Sequence, residues 1–146
     1  MTDKIIEKTF ITWLEYSILL RVLTNKIKPI IEEENIKYVL GFPRGGLPIA
    51  VHLSHNLIIP YLHKMDNDFM NRWDMGEKIL VVDDLVDTGK TLKEFRSEMN
   101  LADFVSAVLY KKPWTKYEPD FYIVETDKWI VFPYENPNEI PNREVP

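Results

Sequence analysis

Two adjacent carboxylates, Asp83 and Asp84, follow the aliphatic residues 79–82 and precede a small polar turn at residues 87–91. The backbone N–H groups of such a turn, and the positive end of a helix after it, can bind one phosphate. A second phosphate beside two carboxylates would be repelled, whereas vicinal hydroxyls or a divalent cation suit them. A phosphate beside a diol describes a ribose 5-phosphate.

The turn ends in Gly-Lys-Thr, which raises the alternative of a nucleotide-binding P-loop. That motif is G-x-x-x-x-G-K-[ST], so it requires a glycine five residues before Gly89. The residue at that position is Asp84, and a carboxylate does not fit a loop that wraps an anion. The P-loop is therefore excluded. We expect Gly89 to permit close backbone approach and the hydroxyls of Thr88 and Thr91 to donate hydrogen bonds, with Lys90 mattering least.

A second polar turn, "GFPRGG", contains Arg44, Gly45 and Gly46. Arg44 can make charge-assisted hydrogen bonds, and the two glycines can expose backbone N–H groups. This combination suits another anionic group, such as a pyrophosphate. A 5-phosphate, a diol and a pyrophosphate together describe phosphoribosyl pyrophosphate.

The composition limits the class of protein. The chain has 146 residues, 45% of them hydrophobic, which predicts one globular domain over residues 1–146. It has no cysteine, so it can form neither a disulfide nor a thiolate metal site. A net charge of −5 without a basic stripe argues against a nucleic-acid partner. With no long apolar run and no signal-peptide pattern at its start, the sequence predicts a cytoplasmic protein without a membrane partner.

The elements that must position these turns alternate between strand and helix. "TWLE" at residues 12–15 fits a capping box, and helical spacing follows until Pro29. Strands are expected at 37–42, 57–62, 78–82, 103–110, 120–125 and 129–132, and helices at 47–56 and 89–100. Residues 63–76 read as a mobile loop, in which Met65, Phe69 and Trp73 could either form a small lid helix or pack onto a neighbouring subunit. Residues 133–146 read as an irregular tail.

This alternation predicts an α/β fold with a mainly parallel sheet covered on both faces. In such sheets ligands bind beyond the carboxyl ends of the strands. Both polar turns fall at such ends, so we expect them to meet in one site.

Residues 79–91 closely resemble the phosphoribosyl pyrophosphate signature of type I phosphoribosyltransferases, which has aliphatic residues, two acids and then D-T-G-x-T. "RGGLPIA" resembles the pyrophosphate loop of the 6-oxopurine branch. "KKPWTKYEPDFYIV" and "TDKWIVFPYE" resemble the purine-binding end of that branch, and the whole chain is most similar to bacterial xanthine-guanine phosphoribosyltransferases. The resemblance implies the type I phosphoribosyltransferase fold with a small hood built from the two chain ends.

The resemblance also implies the reaction, in which a purine nitrogen displaces pyrophosphate from C1 of the ribose. Asp83 and Asp84 would hold the ribose hydroxyls with Mg²⁺ nearby, and Asp87 would act as general acid and base at the purine N7. The 5-phosphate would be bound by Asp87, Thr88, Gly89, Lys90 and Thr91. The pyrophosphate would be bound by Arg44, Gly45, Gly46 and Arg72, with a non-proline cis peptide bond expected at Arg44–Gly45.

At the purine end, the resemblance implies that Lys112 contacts O6, with its neighbour Lys111 as the alternative. Trp129 would stack on the base, the Ile130 carbonyl would meet the C2 substituent, and Glu135 would close this end.

The implied function is purine salvage on guanine, xanthine or hypoxanthine by a homodimer or homotetramer. Two alternatives stay open: a non-catalytic regulator that senses phosphoribosyl pyrophosphate, and a phosphoribosyltransferase for another nucleobase.

Overall fold

The computed structural model describes residues 7–72, 76–98 and 104–138, apart from the side chains at 71 and 72. The elements, in chain order, are β1 (Lys8–Phe10), α1 (Trp13–Ile27), α2 (Ile30–Glu33), β2 (Ile36–Gly41), α3 (Gly46–Leu57), α4 (Asn67–Arg72), β3 (Lys78–Val86), α5 (Lys90–Glu98), β4 (Phe104–Lys111), β5 (Val124–Glu125) and β6 (Trp129–Val131).

The central sheet has the order β2-β3-β4-β5, and each neighbouring pair is parallel. A second, two-stranded parallel sheet joins β1 to β6, with Lys8 opposite Trp129. The predicted parallel sheet is therefore present. We use the name hood for β1, β6 and residues 132–138, which bring the two ends of the described chain together.

Successive residues of the central strands point to opposite faces of the sheet, and each face has its own core. One core packs Leu80, Val82, Ala107 and Leu109 against α1 and α3. The other packs Ile79, Val81, Leu40 and Val108 against Phe69 of α4 and Leu92 of α5. Burial of both faces explains why these strands are nearly continuous apolar runs.

Local signals at α1 agree with the sequence prediction. Thr12 caps the helix, because its Oγ1 accepts a hydrogen bond from Glu15 N at 3.1 Å. The Thr12 hydroxyl in turn donates to Glu15 Oε1 at 3.0 Å. The helix ends at Ile27, two residues before Pro29. Within the three described ranges, no helix is both long and apolar enough to cross a bilayer.

The strand predicted at 57–62 is reduced to a single bridge between Tyr61 and Val39 on the edge of β2. Ile58, the residue that follows α3, has a left-handed backbone with φ of 55°, and Pro60 has no N–H to donate. The prediction of a regular strand there was wrong for these two reasons. The strand expected at 120–125 likewise keeps only a bridge at Phe121 and the two residues of β5.

The segment predicted as a loop at 63–76 contains α4. Asp66 caps this short helix, because its Oδ1 accepts a hydrogen bond from Phe69 N at 2.8 Å. Phe69 is buried and meets Tyr38 edge-on, with ring centroids 5.1 Å apart. A short helix is thus present in this segment and is anchored to the core through Phe69. Met65 precedes it, and Trp73 lies outside the described residues.

Candidate active site

A cavity of about 640 Å³ lies at the carboxyl end of β3, between the start of α3 and the hood. This volume is in the usual range for small-molecule sites. The polar and aromatic residues that line it come from four separate segments: Lys8, Phe42, Arg44, Asp83, Asp84, Asp87, Thr91, Trp129, Tyr134, Glu135 and Asn136.

Asp83 and Asp84 belong to β3 itself, which runs on to Val86. The strand predicted at 78–82 is therefore four residues longer than expected and includes both acids. Asp83 Oδ1 accepts a hydrogen bond from Asp84 N at 2.9 Å, and Asp84 is only 8% exposed. The parallel ladder to β4 continues beside these residues, so the strand fixes where both carboxylates lie.

Gly45 lies directly against Asp84, one of the two acids. A β-carbon at Gly45 would lie 2.2 Å from Asp84 Oδ2, so no larger residue fits without moving the carboxylate. Arg44 is exposed and lines the cavity beside it. The turn and the acid pair are therefore adjacent, as the sequence predicted.

Gly46 makes its contacts within the protein. Its N–H donates to Phe42 O at 2.9 Å, and a β-carbon there would lie 2.5 Å from Val82 O. Gly46 therefore lets α3 begin directly against β3, and its amide is engaged within the protein. The cis peptide bond is Pro43–Arg44, so the prediction of Arg44–Gly45 was wrong by one residue.

The turn at residues 87–91 joins β3 to α5, as predicted. Asp87, Gly89 and Thr91 line the cavity. Thr88 lies outside the lining, and its Oγ1 accepts a hydrogen bond from Lys90 N at 3.3 Å. The Lys90 ammonium lies 3.9 Å from Glu94 on the exposed side of α5, away from the cavity lining.

Residues 112–117 support this turn from outside the cavity. Lys112 N donates to Val86 O at 2.9 Å, and Lys116 N donates to Thr88 O at 3.0 Å. Tyr117 covers Gly89, where a β-carbon would lie 2.6 Å from Tyr117 Cβ and where φ is +88°. The indole Nε1 of Trp114 donates to Asp87 Oδ1 at 2.7 Å.

The two candidate lysines have different surroundings. Lys111 Nζ lies 2.5 Å from Glu118 and 3.3 Å from Glu125, and the hydrogen bond that Lys111 donates to Glu118 raises the pKa of Lys111. Lys112 Nζ donates to Lys128 O, immediately before Trp129. The structure therefore assigns Lys111 to a structural ion pair, and directs Lys112 towards the hood, although Lys112 does not line the cavity.

The hood supplies the remaining predicted residues. Trp129 lines the cavity, whereas the Ile130 side chain is buried in the core. Glu135 also lines the cavity, and its Oε1 accepts a hydrogen bond from Phe132 N at 2.9 Å. Arg72 belongs to α4, but its side chain lies outside the described residues.

The sequence reasoning missed three residues of this region. Lys8 lines the cavity, and its Nζ donates to Pro137 O at 3.1 Å, which ties β1 to the end of the described chain. Tyr134 Oη donates to Gly45 O at 3.0 Å, joining the hood to the first turn. Trp114 is the third. Only Tyr134 had a local signal, as the aromatic position of the "WIVFPYE" motif.

The donor set of the acid pair fits a magnesium ion. Mg²⁺ prefers oxygen ligands, keeps several waters and is usually held by one or two carboxylates together with substrate phosphates. Asp83 and Asp84 provide two carboxylates on the wall of a cavity large enough for the rest of the shell. In the described ranges no group of three or more acids and histidines could hold a metal without substrate.

Comparisons with known proteins agree with this geometry. A family model described as "Phosphoribosyl transferase domain" matches residues 75–137. The chain is 32% identical over 143 residues to a xanthine-guanine phosphoribosyltransferase of Idiomarina loihiensis, a match that covers 86% of both chains.

Solved structures are similar over nearly the whole chain. A purine phosphoribosyltransferase from Pyrococcus horikoshii is 32% identical with a TM-score of 0.74, covering 92% of this chain and 98% of that one. A xanthine-guanine-hypoxanthine phosphoribosyltransferase of Helicobacter pylori, 21% identical with a TM-score of 0.64 over 86% and 92% of the chains, has the same fold. With this identity and coverage, the chain belongs to the type I phosphoribosyltransferase family, in the branch that contains the xanthine-guanine enzymes.

Proposed function

We propose that the cavity binds phosphoribosyl pyrophosphate and a 6-oxopurine, and joins them into a nucleoside 5′-monophosphate with release of pyrophosphate. The observation that carries this proposal is the meeting of the acid pair, the phosphate turn and the Arg44–Gly45 turn in one cavity with Trp129. Each of these parts matches one portion of the two substrates.

The sugar end is assigned to β3 and α5. The 5-phosphate is bound at residues 87–91, where Gly89 and Thr91 line the cavity at the positive end of α5. The ribose hydroxyls face Asp83 and Asp84. Mg²⁺, held by the same two carboxylates, would neutralise charge on the pyrophosphate as it leaves.

The leaving group is assigned to the first turn. Arg44 supplies a fixed positive charge on the cavity wall, and the Gly45 backbone approaches the acid pair closely enough for one ligand to contact both. Bond cleavage at C1 gives an oxocarbenium-like transition state while negative charge builds on the pyrophosphate. Arg44 and the backbone beside it would stabilise this charge on the leaving pyrophosphate. Contacts of Gly46 and Arg72 with pyrophosphate stay predictions from the sequence.

The base is assigned to the hood. Trp129 lines the cavity, where its ring can stack on a purine, and Lys112 ends beside it at Lys128 O. A purine ring nitrogen forms the bond to C1 as the C1–oxygen bond to pyrophosphate breaks. Asp87 then takes the proton that the purine N7 loses. The Ile130 carbonyl and Glu135 stay predicted contacts at the C2 side.

A single domain, assembly as a homodimer or homotetramer, and a cytoplasmic location also stay predictions. Sedimentation of the purified chain tests the assembly. If a monomeric fraction is found, its activity can be measured as well. Turnover by that fraction would show that one protomer supplies the whole site.

The experiment that tests the function is a panel of six nucleobases, each mixed with phosphoribosyl pyrophosphate and Mg²⁺, with nucleotide and pyrophosphate both measured. We expect turnover with at least one of guanine, xanthine and hypoxanthine, and equal amounts of the two products. Turnover only with adenine or a pyrimidine would replace the 6-oxopurine assignment. Tight binding of phosphoribosyl pyrophosphate without turnover on any base would indicate a regulator.

A further inference from the structure

The carboxylate of Asp87 is hydrogen-bonded on one side by an indole. Trp114 Nε1 donates to Asp87 Oδ1 at 2.7 Å, a length typical of a charge-assisted hydrogen bond. Asp87 lines the cavity, whereas Trp114 does not. Within the described part of the chain, Oδ2 of Asp87 receives no hydrogen bond of its own. The two oxygens of this carboxylate therefore differ in their surroundings.

The position of Trp114 does not depend on Asp87 alone. Thr115 N donates to Lys112 O at 3.2 Å and Lys116 N donates to Thr88 O at 3.0 Å, which fixes the backbone on either side of the indole. The Lys112 ammonium lies 5.5 Å from the centroid of the Trp114 ring, within cation–π range. Trp114 is nevertheless 51% exposed, so hydrophobic burial is not its main contribution.

An indole N–H can only donate a hydrogen bond, so it pairs with an unprotonated carboxylate oxygen. The indole cannot itself accept the proton of the substrate. It therefore leaves one oxygen of Asp87 to receive a proton and restricts the rotation of the carboxylate. A general base must hold its accepting atom within hydrogen-bond reach of the proton that it takes. A fixed carboxylate meets this condition more often than a rotating one.

We infer that Trp114 is a positioning residue for proton transfer, an inference that rests on the proposed function of Asp87. Trp114 holds Oδ1, and Oδ2 accepts the proton that leaves the purine nitrogen, so that one N–H bond breaks and one O–H bond forms. Trp114 contacts neither substrate. Its effect is on the rate of the chemical step and not on the binding of phosphoribosyl pyrophosphate.

The test is Trp114→Phe in the full chain, because phenylalanine keeps an aromatic face for Lys112 and removes the single N–H. We expect the kcat for nucleotide formation to fall about tenfold. The KM for phosphoribosyl pyrophosphate should stay within roughly twofold, since the phosphate turn keeps its backbone hydrogen bonds. Trp13→Phe, at another exposed tryptophan, is the matched control and should leave both values unchanged.

A second measurement reads the contact without activity. In protein labelled with ¹⁵N at tryptophan, Trp114→Phe identifies the Trp114 indole signal, and Asp87→Asn should shift that signal more than the other indole signals.

Two kinetic results would overturn the inference: an unchanged kcat in Trp114→Phe, or a fall in kcat matched by an equal rise in the KM for phosphoribosyl pyrophosphate. Neither result would affect the proposed function, provided that the unaltered protein turns over. The inference would also be overturned if the position of the Trp114 indole signal did not change in Asp87→Asn. Absence of turnover by the unaltered protein would overturn the proposed function, and this inference with it.

Discussion

Gly45 and Asp84 touch across the site: a β-carbon on Gly45 would lie 2.2 Å from Asp84 Oδ2 and 2.5 Å from its Cγ. Asp84 is buried within β3, between two residues that pair with β4, so its short side chain has little room to turn away. The contact joins the turn assigned to pyrophosphate with the acids assigned to ribose and magnesium. A ligand that carries a pyrophosphate and a hydroxyl on neighbouring sugar carbons needs the turn and the acids to lie this close together.

The first prediction follows from that contact. Gly45→Ala should raise the Kd for phosphoribosyl pyrophosphate about tenfold, because the added methyl must displace the Asp84 carboxylate. Titration calorimetry in the presence of Mg²⁺ measures this change. In an Asp84→Ala background the same glycine substitution should change the Kd much less, since the carboxylate that it displaces is gone. Equal effects in both backgrounds would contradict the proposed coupling.

Binding of phosphoribosyl pyrophosphate should depend on a divalent cation. The described lining contains four acids, Asp83, Asp84, Asp87 and Glu135, but only two cations, Lys8 and Arg44. The net charge of the whole chain, −5, adds a weak repulsion of anions. We expect removal of Mg²⁺ with a chelator to weaken binding roughly tenfold or more, measured by the same calorimetry. A Kd that is the same with and without Mg²⁺ would disprove this dependence.

The two adjacent lysines should separate in function. Lys112→Met should raise the KM for the purine about tenfold while leaving that for phosphoribosyl pyrophosphate unchanged, because its ammonium ends at Lys128 O beside Trp129. Lys111→Met is the matched control and should leave both KM values near normal, since Lys111 is held by Glu118 and Glu125. If only Lys111→Met raised the purine KM, the purine contact would belong to Lys111 and not to Lys112.

Stability at alkaline pH should depend on Tyr16. Burial raises the pKa of Tyr16 to about 12 from its ordinary 10.0, and its hydroxyl is hydrogen-bonded to His52 Nδ1 at 2.8 Å. The folded state therefore favours the neutral phenol. Its contribution to the free energy of unfolding is fully present below pH 10 and is lost as the pH rises from 10 towards 12.

Urea denaturation at a series of pH values measures this loss. Tyr16→Phe should be less stable at neutral pH, and its stability should fall less steeply between pH 10 and pH 12. Tyr122→Phe, at an exposed tyrosine, should keep the slope of the unaltered protein. If the stability of the unaltered protein and of Tyr16→Phe fell equally steeply with pH in this range, the loss of stability could not be assigned to Tyr16.

The parts of the site that the sequence predicted are those encoded within a few residues. The acids of β3 and the turn at residues 87–91 follow one another along the chain, so their spacing alone places them together. The helix of residues 13–27 is likewise specified by its own capping box and periodicity. The parallel sheet followed from the alternation of apolar strands and helices.

The missed features depend on contacts between distant segments. The strand β1 has only three residues and is defined by its pairing with β6, more than a hundred residues later. The bonds from Tyr134 to Gly45 and from Trp114 to Asp87 likewise cross between elements. The different surroundings of Lys111 and Lys112 could not be predicted, because they follow from the positions of Glu118, Glu125 and Lys128 in the fold.

We propose that Asp87 acts on the purine in this cavity and does not serve only to bind phosphate. Asp87→Ala compared with the unaltered protein tests it most directly, with single-turnover nucleotide formation measured beside the Kd for phosphoribosyl pyrophosphate. We predict a rate at least ~100-fold lower, with the Kd changed less than about threefold, because we expect the turn to bind phosphate mainly through its backbone. An equal loss in rate and in affinity would contradict the account and make Asp87 a binding residue.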